Sequence, residues 1–387
     1  MKLAVVVDTF PRWSERFIAR ECRELVRRGV KLTIFCLRAG ETLPADEHEW
    51  DGLIERRVVL PRCLVPSLRS EAHLPQKVRE RRTLVREGLG ATAYAKVRCA
   101  ESLCELLRAQ EITHVHAHFA SLPSTIGWLA AMECGLPFSL SVHARDLFVD
   151  AQFLEQKAQD AAAIFCCHRN AFDFLRQRHP AAKAIHMPHG LPLDLFPLRA
   201  NAPGGVPVLL AAGRFVEKKG FLELLEALAT PTLQKSAWSA VLLGDGPLRK
   251  KILARIQQLQ LGERVSVVDA MSGAALRAQF ERASLFVAPY KETKDGDADG
   301  IANVLLEAMA LGVPVVGTTS GSASEVLSEA TAGIIRGCTP EAIGAAIDGA
   351  LQHADRTAGR AVAARQAIEA RFDIRTNIES MVRALKA

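Results

Sequence analysis

No run of 18 uncharged apolar residues occurs among these 387 residues, so nothing in the chain is expected to span a membrane. No low-complexity tract interrupts it. With 49% hydrophobic and 24% charged residues, the composition is that of a folded, water-exposed protein. The nine cysteines are odd in number, scattered and free of any CxxC pair. Neither a disulfide framework nor a zinc site is expected, which points to a reducing, cytoplasmic setting. The first apolar run, Met1 to Val7, ends at Asp8. It is too short for a signal peptide and the right length for a buried strand. The loop after it, from Phe10 to Phe17, contains no glycine. A dinucleotide site needs GxGxxG there, so hydride transfer is excluded.

The net charge of +6 is concentrated. Arg56, Arg57, Arg62, Arg69, Lys77, Arg79, Arg81, Arg82 and Arg86 crowd one region, interleaved with Leu53, Ile54, Val58, Val59, Leu60, Leu64, Val65 and Leu68. Such a segment is either a solvated face or a contact with an anionic membrane surface over residues 53–86. No nucleic-acid motif or aromatic platform accompanies the charge, so no nucleic-acid partner is expected.

In order, the chain reads as strand 2–8, a helix from Ser14 to Arg28 closed by Gly29, and strand 30–35. That βαβ opening implies a parallel sheet covered by helices. A long helix is expected over about 76–110, then strands at 113–117, 137–142, 161–166 and 184–187. From Pro188 to Pro207 five prolines and three glycines accumulate, the signature of a linker. A second alternation follows, with strands at 207–212, 238–243, 264–268, 284–288 and 313–317. Its helices are expected near 220–230, 248–260, 273–282, 302–311 and 340–352. The expectation is therefore α/β: two doubly wound, Rossmann-like domains facing across a cleft. Residues 1–190 form the first domain, 191–206 the linker and 207–365 the second. Residues 366–387 form a last helix returning to the first domain. Ligands of such sheets sit beyond the C-terminal strand ends.

The stretch from Asp295 to Gly317 is the centre of this pattern. Its acidic, glycine-broken loop runs into a helix that is apolar nearly all round, yet Glu307 lies in the middle of it. A carboxylate buried there needs hydrogen bonds. Either Glu307 forms a structural ion pair, or it accepts bonds from ligand hydroxyls. Asn303 is one turn earlier on the same face, and the helix start after Gly300, at Ile301 and Ala302, offers free N–H groups to an anion. Phosphate plus polyol means a nucleotide or a nucleotide sugar.

Other motifs fall at strand ends. Gly213-Arg-Phe-Val-Glu-Lys-Lys-Gly220 joins a strand to a helix, and Arg214 and Lys219 can grip a diphosphate or simply form a basic turn. Gly244-Asp-Gly-Pro247 either brings backbone close to a ligand or is a tight turn, with Pro247 at a first helical position. His143 follows a strand, with Asp146 three residues on, and can hydrogen-bond a sugar. His114, His116 and His118 alternate, without a carboxylate or cysteine ligand set nearby. His118 through Ala120 is read as cleft lining rather than metal ligation. Ser14 reads as a helix N-cap, with Glu15 and Arg16 able to face an acceptor.

Taken in order, seven segments resemble the retaining GT-B glycosyltransferases often called family 4. They are Phe10-Pro-x-x-Ser14-Glu15, His114-x-His-Ala-His-Phe-Ala120, His143-Ala-x-Asp146, Pro188-His-Gly190, Gly213-Arg-x4-Lys-Gly220, Gly244-Asp-Gly-Pro247 and the loop-helix from Asp299 to Glu307. The likeness covers essentially the whole chain and is greatest to bacterial enzymes of exopolysaccharide and capsule synthesis.

The resemblance implies a metal-independent hexosyltransferase that needs no cofactor and uses a UDP- or GDP-linked sugar as donor. It places the acceptor, an oligosaccharide that is lipid-linked, on the first domain beside Ser14, Glu15 and His118. It gives Arg214 and Lys219 the donor diphosphate, Glu307 the ribose, and Gly244, Gly300, Ile301, Ala302 and Asn303 the rest of the donor. His143 and Asp299 would face the transferred sugar. Asp299 stands where the family more often has Glu, and Ala302 where it commonly has Pro. A peripheral location on the inner face of the plasma membrane follows from such an acceptor. The alternatives are a nucleotide-sugar epimerase or hydrolase on the same fold, or an inactive sugar-nucleotide-binding subunit.

Overall fold

A computed structural model describes residues 1–42, 50–61, 74–200 and 203–386. The chain forms two compact units, Met1–Gly190 with Ile374–Ala387, and Leu191–Asp373.

In the first unit, β1 (Lys2–Phe10) leads into α1 (Arg16–Arg27), β2 (Lys31–Ala39) and β3 (Arg57–Val59). Then come α2 (Gln76–Val97), α3 (Cys99–Ala109), β4 (His114–His118), α4 (Leu122–Cys134) and β5 (Phe138–Val142). Three short helices, α5 (Ala144–Phe148), α6 (Leu154–Asp160) and α7 (Arg169–Arg178), flank β6 (Ala163–Cys166), and β7 (Ala184–His186) ends the run. The seven strands are parallel in the order β3-β2-β1-β4-β5-β6-β7. Leu3 to Val7 of β1 read as an unbroken apolar run because helices cover both faces of a parallel sheet. Gly127 of α4 lets that helix sit close on the sheet: a Cβ there would be 3.3 Å from Val6 and 3.5 Å from Val115.

The second unit runs β8 (Val208–Ala212), α8 (Phe221–Leu228), α9 (Pro231–Gln234), β9 (Ser239–Leu243), α10 (Arg249–Gln258) and β10 (Val265–Val268). It continues α11 (Gly273–Arg282), β11 (Leu285–Ala288), α12 (Asn303–Ala310), β12 (Val315–Gly317), β13 (Gly333–Ile334), α13 (Pro340–Gln352) and α14 (Ala354–Arg371). Its parallel order is β10-β9-β8-β11-β12-β13. Each sheet changes direction of winding beside its first strand, at β1/β4 and β8/β11, where doubly wound sheets bind ligands. The final helix, α15 (Ile374–Lys386), sends Ile374, Ile378, Met381 and Leu385 into one core with Ile18, Cys22 and Leu25 of α1.

Several local expectations change. The helix expected over 76–110 is broken: Gly90 has φ 71 and ψ 168 inside α2, and α3 starts anew at Cys99. Ser14 is not an N-cap; residues 13–15 form a 3-10 turn and α1 begins at Arg16. Pro247 lies before α10, which begins at Arg249. Cysteine chemistry also differs, because Cys104 of α3 and Cys134 of α4 are joined as a disulfide across neighbouring helices, with Cα atoms 6.2 Å apart. A separation of 30 residues carries no sequence signal for that pairing.

The basic segment is less outward-facing than its sequence suggested. Leu53 and Leu60 are in the core at 1% and 2% exposure. Lys77 and Arg81 both hold Asp160, at 2.6 and 3.0 Å, and buried Arg82 pairs with Glu133. Arg79 and Arg86 remain exposed, while Arg62, Leu64, Val65, Leu68 and Arg69 lie outside the described residues. Among the described residues, no helix is long and apolar enough to cross a membrane.

Candidate functional site

The second unit gathers charge at the C-terminal ends of its strands. β8 ends just before Gly213, and a 3-10 turn over Glu217–Lys219 stops at Gly220, whose φ of 69 suits glycine. A Cβ at Gly220 would lie 1.9 Å from the carbonyl oxygen of Pro289, so the turn is pressed against the loop that follows β11. The Lys291 N–H donates to the Lys218 carbonyl at 2.9 Å, fastening the two further. Lys218 and Lys219 are consequently only 9% exposed.

Their partners are carboxylates. Lys218 Nζ lies 2.9 Å from Asp297 and 3.4 Å from Asp299, while Lys219 Nζ lies 2.6 Å from the other oxygen of Asp299. Lys219 also sits 4.3 Å above the ring of Tyr290, a cation–π contact. Burial works to raise the Asp299 pKa, but the two lysines outweigh it and hold the carboxyl below its ordinary value. The Asp299 backbone is fixed as well: its carbonyl accepts from Ser322 N–H at 3.2 Å, and a Cβ at Gly321 would clash with it. Gly300, Ile301 and Ala302 continue from there, half-buried, into α12, which carries half-buried Asn303 and Glu307 at 3% exposure.

Arg214 stands apart as an exposed side chain, although its neighbour Gly213 abuts the Lys219 stem, with a Cβ there 3.3 Å from Cε. The close approach that demands glycine at position 244 is to the Gly213 carbonyl, 1.9 Å from where a Cβ would be. The Phe215 N–H donates to Asp245 O at 2.8 Å, lacing the β8 and β9 loops together.

The first unit presents a different chemistry. Four neighbouring strands, β4 to β7, deliver His118, His143, Cys167 and His189 at or just past their C-terminal ends. Glu21 of α1, 3% exposed, lies beneath them and accepts from His189 Nδ1 at 2.8 Å, with His118 Nε2 at 3.7 Å. Phe17 covers His189 with ring centroids 4.1 Å apart, and Phe119 covers His143 at 4.4 Å. His114 and His116 are spoken for elsewhere: Ser139 Oγ bonds both, at 2.9 and 2.8 Å, and Ser141 Oγ reaches His116 at 3.1 Å. The alternating histidines are thus cross-strand hydrogen-bond partners, with His118 alone at the strand exit.

Asp146 locks the mouth of this group. Its two oxygens accept from Ala120 N–H at 2.7 Å and His143 N–H at 3.0 Å, tying the ends of β4 and β5 together. Fully buried Lys157 supports the same turn through Ser124 Oγ at 2.8 Å. Ser14 is exposed, while Glu15 pairs with Arg12 at 2.9 Å. Burial lifts the Glu15 carboxyl to about 7 despite that arginine.

These groups make a pH prediction with a definite sign. Burial pushes His114 and His118 down to about 4, and His116 and His143 well below their ordinary value, so all four stay neutral in the fold. Unfolded, they take up protons below about 6.5. Opposing them, burial raises Asp146 to about 6 and Glu15 to about 7, so the fold holds up to two extra protons near pH 5. Four against two leaves about two protons taken up on unfolding, or roughly 3 kcal/mol lost per pH unit at most. Stability is therefore expected to be present at pH 7 and to fall as pH drops below about 6. Urea midpoints that are flat or rising from pH 7 to 5 would contradict this.

Of the residues singled out from the sequence, Lys219 and Asp299 meet directly, and His118 and His143 share one cluster with ring centroids 5.9 Å apart. Phe17, Glu21, Asp297 and Tyr290 were given no role at the site from the sequence, and His189 and Lys218 entered only as members of quoted segments. Glu21 carried no signal like that of Glu307, because Arg20 beside it and Glu24 one turn on make α1 read as an ordinary charged helix, whereas Lys218 sits beside a residue that was chosen.

Comparison with known proteins agrees with both halves. Residues 14–195 match the family model "Glycosyltransferase Family 4", and residues 198–367 match "Glycosyl transferases group 1". The chain is 30% identical over 145 residues to the putative colanic acid biosynthesis glycosyltransferase WcaL of Salmonella typhimurium, covering 37% of this chain and 36% of that protein. It is also 30% identical over 197 residues to the GDP-mannose-dependent alpha-(1-6)-phosphatidylinositol monomannoside mannosyltransferase of Mycolicibacterium smegmatis, covering 48% and 52%. The matches span about a third to a half of the length of these relatives. Among solved structures, Anabaena Alr3699/HepE in complex with UDP superposes over 100% of both chains with a TM-score of 0.75 at 15% identity. The two domains have the GT-B fold.

Proposed function

We propose, from the premise that this chain belongs to the group 1, family 4 glycosyltransferases, that it moves a hexose from a UDP- or GDP-sugar to an oligosaccharide acceptor in exopolysaccharide synthesis. The transfer retains anomeric configuration and requires no metal, because side-chain cations serve the leaving diphosphate. The observation that carries this reading is the pair of nearly buried lysines, Lys218 and Lys219, at the strand ends of the second sheet, held there by Asp297 and Asp299. Two ammonium groups in so little water constitute an anion site once a carboxylate gives way.

In this reading Lys219 and Arg214 take the diphosphate, and the N–H groups at Gly300, Ile301 and Ala302 complete its cradle. Glu307 accepts the ribose hydroxyls, with Asn303 one turn away. Asp299 and neutral His143 hydrogen-bond the transferred sugar, and the departing phosphate takes the acceptor proton during attack from the same face. Glu15 and His118 belong to the acceptor side, with Ser14. The HepE structure with UDP and the GDP-mannose dependence of the mycobacterial relative favour a nucleoside diphosphate donor.

A thermal-shift panel of UDP, GDP and ADP with their sugars, in chelator, tests this directly. A ligand binding only the folded chain adds about 2.7 kcal/mol at a hundred times its Kd. One base is expected to raise the melting temperature, and a panel in which none does would sink the proposal. Glu307→Gln is expected to weaken nucleotide binding roughly tenfold, the loss of one charged hydrogen bond, without unfolding the chain. Wholesale unfolding of that variant assigns Glu307 to a structural ion pair instead.

The acceptor is proposed to be lipid-linked, met at the inner face of the plasma membrane through the basic segment over residues 53–86, where Arg79 and Arg86 are exposed. Sedimentation with anionic liposomes at low salt checks this, because such attraction is screened as salt rises. A chain that stays in the supernatant has no such contact.

A further inference from the structure

Among the described residues, one group of side chains could hold a metal ion: His143, Cys167 and His189. We propose that these three form a site for a borderline-soft divalent cation, Zn²⁺ foremost, on the first domain, and that its occupancy blocks transfer. The ligand atoms all lie within 4.8 Å of one another. Zn–N bonds of about 2.0–2.1 Å and a Zn–S bond of about 2.3 Å put tetrahedral neighbours roughly 3.3–3.6 Å apart. The three side chains therefore need to close by about 1–1.5 Å at most. They come from consecutive strands, β5, β6 and β7, at one edge, so closure is a matter of side-chain rotation.

Three further observations point the same way. His143 is 9% exposed, and its Nε2 is buried without a hydrogen-bond partner. Its Nδ1 is buried without one as well, so the ring offers a ligand atom whichever nitrogen faces the site. His189 already bonds Glu21 through Nδ1 at 2.8 Å, which leaves Nε2 for the metal. A carboxylate on the far nitrogen is the arrangement that orients metal-bound histidines and raises their basicity. Charge also closes: the Cys167 thiol loses its proton on binding, and thiolate plus the Glu21 carboxylate balance a dication in a buried place. Two nitrogens and one sulfur exclude Mg²⁺ and Ca²⁺, which take oxygen ligands, and select Zn²⁺, Co²⁺ or Cu²⁺. Three protein ligands leave a fourth position open.

The inhibitory part rests on the role of His143 in transfer proposed above, since a metal on its imidazole takes that ring away from the sugar. The binding part does not. Co²⁺ titrated into the full chain separates them. One equivalent is expected to give tetrahedral d–d bands and a thiolate-to-cobalt charge-transfer band, both abolished when Zn²⁺ is added. Cys167→Ser should lose the charge-transfer band while Cys166→Ser, its buried neighbour, keeps it. Glu21→Gln, at a positioning residue, should weaken binding about 10–100-fold. If Cys167→Ser does not fold by circular dichroism, His189→Gln serves in its place. No band in the wild-type chain, or a band that survives in these variants, overturns the site. In transfer assays Zn²⁺ should inhibit the wild type reversibly and leave Cys167→Ser resistant. Equal inhibition of both overturns the link between binding and activity.

Discussion

Lys219→Met is expected to lower kcat/KM roughly 10²–10³-fold, the range found when a preorganised charge or donor at a leaving group is removed. Its neighbour Lys218 is expected to matter less to chemistry. Lys218 holds both Asp297 and Asp299, whereas Lys219 touches one carboxylate and the Tyr290 ring. The stem of Lys219 also runs against Gly213, next to the loop that carries Arg214. Lys219 is thus the lysine nearer to where a diphosphate would enter, and Lys218 the one that fastens the acidic loop. The expected pattern is a loss of turnover for Lys219→Met and a loss of melting temperature for Lys218→Met. Steady-state transfer rates with paired thermal melts read both. A Lys219→Met enzyme turning over at the wild-type rate removes the anion site from the mechanism.

The architecture was legible because its signals are local and repeated. Apolar runs such as Val5 to Val7 and Leu209 to Ala212 are buried on both faces, and a parallel sheet imposes that pattern wherever it occurs. The shortest elements escaped because they have little pattern to show. β13 is two residues long, β3 is three, and α5 is a single turn that a side chain, Asp146, holds in place. Gly90 was invisible as a break since a glycine within a helical pattern is usually tolerated.

At the site, position along the chain was readable but partnership was not. Lys219 and Asp299 are 80 residues apart, and tertiary packing such as the seating of Gly220 on Pro289 brings them together as an ion pair. The same holds for Glu21 and His189, joined by the packing of α1 beneath β7's exit. The apolar residues among the early basics were ambiguous for a converse reason. Interleaved leucines look alike whether they face lipid or core, and Leu53 and Leu60 face the core.

Asp299→Ala is expected to separate binding from catalysis with opposite signs. In the unliganded chain Asp299 occupies Lys219, so a diphosphate bound as proposed has to compete with a carboxylate already in place. At about 4 Å and an effective dielectric near 20, such a pair attracts by roughly 4 kcal/mol before desolvation is counted. A diphosphate carries more charge than one carboxylate, so in the proposed site it is expected to win, against that opposition. Removing the carboxylate leaves Lys219 unneutralised and the empty fold less stable, since a buried charge losing its partner typically costs about 3–5 kcal/mol. The nucleotide then restores what the mutation took away. The unliganded melting temperature should therefore fall, the upshift on nucleotide addition should grow, and the nucleotide Kd should tighten. Transfer should nonetheless drop by roughly 10²-fold or more, because the group proposed to face the sugar is gone and tighter ground-state binding does not raise kcat. Asp299→Glu keeps the charge with one methylene more reach, and is expected to recover much of the lost turnover. A variant that binds nucleotide more weakly than wild type would show that Asp299 serves the donor's phosphate end indirectly, by setting the lysines, and not its sugar.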